Sequence, residues 1–140
     1  MKLMYKTTAV ANGGRDGQVT IENTPMRLEM ASPKELGGTK PHGFNPEQLF
    51  AAGYAACFGS ALQHVFKVKK LSVAVPDVHT TVGIGLNDAG GFSLAVDMLV
   101  VFTGIDQATA DALVAEAHQV CPYSNATRGN IVVNLSAKVQ

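Results

Sequence analysis

The 140-residue chain reads as an α+β protein, βββ-α-ββ-α-β, packed as an intimate homodimer through a central buried helix. Three observations predict this. Short Thr- and Val-rich or alternating segments fill the chain before residue 45. A long stretch without formal charge, Leu49 to Phe66, follows a strong helix start. Beyond it come two strands facing across a turn, an amphipathic helix, and an alternating run to the C-terminus.

Residues 2–11 are rich in Tyr, Thr and Val and read as a strand. The turn formers Asn12-Gly13-Gly14-Arg15-Asp16-Gly17 connect it to a second strand, 18–22, as a hairpin. Met26, Leu28 and Met30 alternate with Arg27 and Glu29, the period of a half-buried third strand, 26–31. Pro33, Gly37, Gly38, Pro41 and Gly43 mark 32–44 as a loop. Asn45 is then a cap, Pro46 suits the first helical position, and Glu47 and Gln48 favour the first turn. At about 100° per residue, Phe50, Gly53, Tyr54, Ala61 and His64 share the face of Cys57, and the opposite side is apolar too. A helix apolar all round is buried on every side or lies in a membrane. Gln63, His64 and an Ala/Gly/Ser composition argue against a span, and small residues four apart would let a second helix approach closely.

After this helix, a strand over 75–86, the turn Asn87 to Gly91 and a strand over 92–102 form a pair. Asp106 caps a second helix, 107–120, which ends at Cys121-Pro122 because proline cannot continue the hydrogen-bond ladder. Ile131, Val133, Leu135, Ala137 and Val139 alternate as the last strand. Nothing divides the chain, so 1–140 is expected to be a single domain. Two three-stranded sheets and one other helix give too little cover for a helix apolar all round. A second copy of the chain would supply it, hence the expected homodimer.

A hydrophobic content of 46% with 16% charged residues indicates a folded protein. The net charge of zero and the lack of an extended basic run exclude nucleic acid as an expected partner. The N-terminus lacks the apolar block of a signal peptide, so a cytoplasmic location is expected. Two cysteines 64 positions apart in a reducing compartment read as reactive or inert thiols rather than a permanent bridge.

Cys57 lies in mid-helix, where burial raises a thiol's pKa and the helix N-terminal dipole is out of reach. As a nucleophile it needs a cation from elsewhere in the fold. Of the three arginines, Arg27 lies on a strand's polar face. Arg15 sits in a Gly-rich turn, either as an exposed charge or aimed inward. Glu47 either suits the helix N-terminus or holds such an arginine, though it lies about 15 Å from Cys57 along the helix axis. Cys121, at a helix C-terminal end, is a poor attacking thiol but an acceptable resolving one. Two buried structural cysteines fit the spacing equally well. A zinc site from Cys57, Cys121, His64 and His118 matches no standard spacing.

Four stretches carry a more specific signal: GGRDG at 13–17, PKELGG at 33–38, NPEQLFAAGYAACF at 45–58 and VCPYSNATRGNI at 120–131. Together, in order and nearly end to end, they resemble the organic hydroperoxide resistance (Ohr) family of the OsmC superfamily. VCPYSNATRGN resembles Ohr proper rather than the sister OsmC branch. The resemblance implies an intertwined α+β homodimer with active sites at the interface. It implies a thiol peroxidase acting on organic hydroperoxides, fatty-acid hydroperoxides included. Cys57 would be the peroxidatic thiol, Cys121 the resolving thiol, Arg15 the activating cation and Glu47 the carboxylate orienting it. The reductant would be dihydrolipoamide, often carried on lipoylated proteins, with no metal or flavin. Phe50, Tyr54 and Phe58 would line an apolar substrate pocket, or serve equally well as core. The chain departs from the family pattern at Thr39 to Phe44, where a more Gly-rich run is expected, and at Phe102-Thr103-Gly104. Rival readings are an OsmC-type peroxidase of different substrate preference and a non-enzymatic thiol sensor or lipid-binding dimer.

Overall fold

The computed structural model describes residues 1–140, which separate into two compact units, 1–49 and 50–140. In the first, β1 (Ala9–Asn12), β2 (Gln18–Ile21) and β3 (Arg27–Glu29) form an antiparallel sheet in the order β1-β2-β3. β1 is much shorter than the strand expected over 2–11. Its register pairs Ala9 with Ile21, and one further bond joins Glu22 N–H to Thr8 O. The chain then turns at Asn23, where φ is 60°. No strand lies opposite residues 2–7 to complete the ladder, and their side chains are exposed.

The loop expected over 32–44 holds a single 3-10 turn, Lys34–Leu36, and Met30 bridges Phe44 beside it. α1 (Pro46–Lys69) then begins where its residues predict. Asn45 Oδ1 accepts the Gln48 N–H at 2.8 Å while Gln48 Oε1 accepts the Asn45 N–H at 2.9 Å. This reciprocal capping box satisfies two amides that the helix start would otherwise leave free.

In the second unit, β4 (Asp77–Leu86) and β5 (Phe92–Phe102) pair antiparallel, and β6 (Val132–Val139) lies parallel to β5 on its other edge. Asn87 Oδ1 accepts from the amides of Ala89 and Gly91, building the expected turn from one short polar side chain. A parallel neighbour requires a crossover, which the helical segment between β5 and β6 supplies. That segment contains the expected helix, α2 (Gln107–Val120), with Asp106 accepting from Thr109 N–H at 2.9 Å. It also contains α3 (Pro122–Thr127), which was not expected. Pro122 ends α2, yet at the first position of a new helix its missing N–H costs nothing.

Tyr54, Phe58, Leu62 and Phe66 of α1 meet Val96, Met98, Val100 and Phe102 of β5 and the inner face of α2 in one core. α1 has the length and composition of a membrane span, but these side chains are buried against protein. Burial all round the helix is not reached within one chain. Ala52, Ala56, Ser60 and His64 are exposed because the sheet and α2 cover only one face.

Candidate functional site

Each unit brings together one pair of the residues singled out by the sequence. In the first, a 3-10 turn over Gly14–Asp16 carries Arg15 between β1 and β2. The Arg15 guanidinium forms a two-pronged pair with Glu47 of the same chain, Nη1 to Oε2 at 2.8 Å and Nη2 to Oε1 at 2.6 Å. The Glu47 side chain is only 12% exposed and that of Arg15 36%, so the fork is partly shielded from water. Planar guanidinium and carboxylate match edge to edge, which fixes direction as well as charge. The hydrogen bond from Arg15 holds the Glu47 carboxyl below its ordinary pKa, against the opposing effect of burial. Glu47 in turn raises that of Arg15.

The Arg15 turn is anchored on its far side. The Asp16 carboxylate accepts from the Ser32 amide at 3.2 Å and the Ser32 hydroxyl at 3.3 Å. The Lys40 ammonium donates to the backbone oxygens of Asp16 and Met30. Lys40 lies in the 39–44 stretch where the sequence departs from its resembled pattern. Gly17 closes the turn so tightly that a Cβ there would lie 1.8 Å from Asn12 O. Gly17→Ala is therefore expected to break the turn and lower stability by about 2 kcal/mol in urea unfolding.

The ion pair also has a pH signature. A depressed carboxylate contributes stability above its unfolded pKa, about 4.3, and loses it as pH falls through the folded value. The Tm advantage of the native chain over Glu47→Gln should thus be full at pH 7, start to fall as pH drops below about 4.3, and vanish only once pH has passed below the depressed folded value.

In the second unit, Cys57 and Cys121 meet across the α1–α3 contact. The Cys121 thiol points at Cys57 Sγ from 3.6 Å, and both cysteines are free. Cys121 is fully buried and Cys57 half-buried. Cys121 is more than a helix end: it caps the C-terminus of α2 and the N-terminus of α3 at once. Burial pushes the Cys57 thiol up from its ordinary pKa, and Cys121 adds to the rise, while a hydrogen bond from the Tyr123 backbone works against it. Two sulfurs at this separation are close to a disulfide, whose bond is about 2.05 Å.

The OsmC-like protein family model matches residues 37–136. The chain is 46% identical to the organic hydroperoxide resistance protein of Xanthomonas axonopodis pv. citri, over 96% of this chain and 95% of that one. The chain belongs to the OsmC/Ohr family. It is also 46% identical to the organic hydroperoxide resistance protein-like 2 of Staphylococcus epidermidis, covering 98% of this chain and 97% of the relative. A crystal structure of an organic hydroperoxide resistance protein from Elizabethkingia anophelis, with bound thiocyanate, superposes with a TM-score of 0.95 at 46% identity over the whole of both chains.

In this OsmC/Ohr chain the family match spans Glu47, Cys57 and Cys121, whereas Arg15 precedes it. Tyr54 and Phe58 are fully buried, and Phe50 is half-buried with its ring edge on Tyr54. A mostly apolar cleft of about 420 Å³ opens elsewhere, between His64–Lys69 of α1 and Glu116–Val120 of α2, beside a Lys69–Glu116 ion pair at 2.8 Å. His64 is exposed. His118 is half-buried with its Nδ1 unpaired, and burial, then the charge of Arg128, lowers its pKa. No three His, Cys, Asp or Glu side chains cluster as metal ligands. Residue-by-residue reading of the sequence missed Tyr123, whose ring lies over Gly53. A Cβ on Gly53 would sit 3.1 Å from the Tyr123 hydroxyl oxygen, so the absent side chain lets the ring approach α1. It also missed Ser124 and Thr127, which helical spacing from Cys121 would have placed facing α1 had α3 been recognised.

Proposed function

We propose that this chain is a cysteine-based thiol peroxidase that reduces organic hydroperoxides, fatty-acid hydroperoxides included, to alcohols. The observation that carries the reading is the Cys57–Cys121 pair, two free thiols 3.6 Å apart. The organic hydroperoxide resistance named for its relatives supplies the substrate class. The Cys57 thiolate attacks the terminal oxygen of ROOH, the O–O bond breaks, and the alkoxide takes up a proton to leave as ROH. Cys57 becomes a sulfenic acid. The Cys121 thiol condenses with it, forming the Cys57–Cys121 disulfide and releasing water. An external dithiol, dihydrolipoamide free or on a lipoylated protein, reopens the disulfide by exchange and is itself oxidised to the cyclic disulfide. No bound cofactor enters this cycle.

Arg15, held by Glu47, supplies the positive charge that favours the thiolate and steadies the charge growing on the departing oxygen. The enzyme works as a homodimer. The exposed small residues Ala52, Ala56 and Ser60 of α1 support this, since they leave a helix face that a second copy can cover closely. Its place of action is the cytoplasm.

The test is consumption of cumene hydroperoxide by the purified protein with dihydrolipoamide as reductant. Many turnovers per chain are expected. A folded protein without turnover, with this or any other dithiol, would overturn the peroxidase and favour a sensor or binding role.

A further inference from the structure

Three buried hydroxyls meet on the same two helices that present the cysteines, α1 and α3, and the thiol chemistry uses none of them. Tyr54 Oη lies 2.9 Å from Ser124 Oγ and 3.3 Å from Thr127 Oγ1, and the Thr127 hydroxyl also reaches Tyr123 O at 3.0 Å. Tyr54 and Ser124 are 0% exposed and Thr127 6%. Tyr54 stands three residues before Cys57 on α1, and Ser124 three residues after Cys121 on α3. Each cysteine is thus about one helical turn from one end of the same hydrogen bond.

Hydroxyls are a poor choice for filling a core. An apolar side chain gives equal bulk without desolvation, and a buried hydroxyl left unpaired is costly. What they add is direction, because the bonds form only over a narrow range of distance and angle. α3 needs such direction: six residues are too few to hold a helix in water, so tertiary contacts must set its position. The Tyr123 ring, 5.7 Å from Tyr54 and 6.0 Å from Phe50, adds apolar contact to the same place.

We propose that the Tyr54–Ser124–Thr127 hydroxyl network is a positioning device for the resolving step, holding Cys121, at the N-terminal cap of α3, in reach of Cys57 on α1. The proposal rests on the peroxidase reading for its role in turnover, but the closure it describes is a property of the dithiol itself. After the first oxidation, Cys57–SOH has two fates. With Cys121–SH it gives the disulfide and water. With a second ROOH it gives Cys57–SO₂H and ROH, a dead end. The network sets the ratio between them by keeping Cys121 in place.

The experiment compares the native chain with Tyr54→Phe, which keeps the ring and removes the hydroxyl. Closure is followed first with diamide, a diazene that takes two hydrogens from the two thiols and becomes a hydrazine. Closure in Tyr54→Phe should be about ten-fold slower, the weight of one buried hydrogen bond. Under excess cumene hydroperoxide, the sulfinic fraction of oxidised Cys57, read by mass spectrometry, should rise several-fold. Thr127→Ser, which retains a hydroxyl, should keep the native ratio. So should Val100→Ala, a core variant chosen to lower Tm comparably. Ser124→Ala removes the same bond from its other side and carries the same expectation if Tyr54→Phe does not fold. Closure at the native rate in the variant would overturn the proposal, as would an equal shift in Val100→Ala. If the native chain closes with diamide but not with hydroperoxide, the peroxidase reading falls, and the diamide rates still decide the network's role.

Discussion

Cys57→Ser is expected to abolish hydroperoxide turnover, by more than about 10³-fold in the dihydrolipoamide-coupled assay. The substitution exchanges sulfur for oxygen with little change in shape at a half-buried position, so Tm should stay close to native. The hydroxyl's pKa lies far above that of a thiol, and oxygen cannot pass through a sulfenic acid. Cys121→Ser should behave differently. The first hydroperoxide is still consumed, but the cycle stalls at the Cys57 sulfenic acid, which excess substrate carries to the sulfinic acid. A burst of about two equivalents per chain, one for each oxidation of Cys57, followed by arrest is the expected trace. Steady turnover in Cys57→Ser would remove Cys57 from the chemistry altogether.

Arg15→Ala carries the second large effect, about 10²-fold on the rate of Cys57 oxidation. Its origin is the thiol's own surroundings. Burial and the neighbouring Cys121 both raise the Cys57 pKa, and the Tyr123 backbone offsets them only in part. Left to those groups, Cys57 is mostly protonated at neutral pH and a weak nucleophile. A peroxidase working near pH 7 therefore needs an added positive charge, and Arg15 is the cation already fixed in direction by a carboxylate. Removing it should move the pH midpoint of Cys57 alkylation by iodoacetamide upward. Arg15→Lys should fall nearer the alanine variant than the native chain, because a single ammonium cannot fill the two-pronged bond to Glu47. An alkylation midpoint that stays put in Arg15→Ala would take the arginine out of the mechanism.

Much of the architecture was legible because it rests on interactions between near neighbours in the chain. Asn45 and Gln48 cap each other across three residues, Asp106 caps α2 through Thr109, and Asn87 folds its own turn. The alternation of Val133, Leu135, Ala137 and Val139 was legible for the same reason, since β6 has one inward face. Where a strand depends on a distant partner the reading went astray. Residues 2–7 have strand-forming side chains but nothing opposite them. α3 was hidden by Pro122, whose helix-ending role was read and whose helix-starting role was not.

The candidate site divides along the same line. The sequence by itself determined which residues have the right chemistry: two thiols, one on a helix without charge, an arginine in a glycine-rich turn, and a carboxylate at a helix start. Residue types and local spacing carry that information. Only the tertiary structure decided that Arg15 reaches Glu47 of its own chain, 32 residues away, and that Cys121 stops 3.6 Å from Cys57 across 64 residues. It also decided that the hydroxyls of Tyr54, Ser124 and Thr127 meet in the core across some 70 residues. Such meetings are settled by packing: the closing of long loops is offset by burial and hydrogen bonding summed over a whole core, and no local stretch of sequence carries that sum.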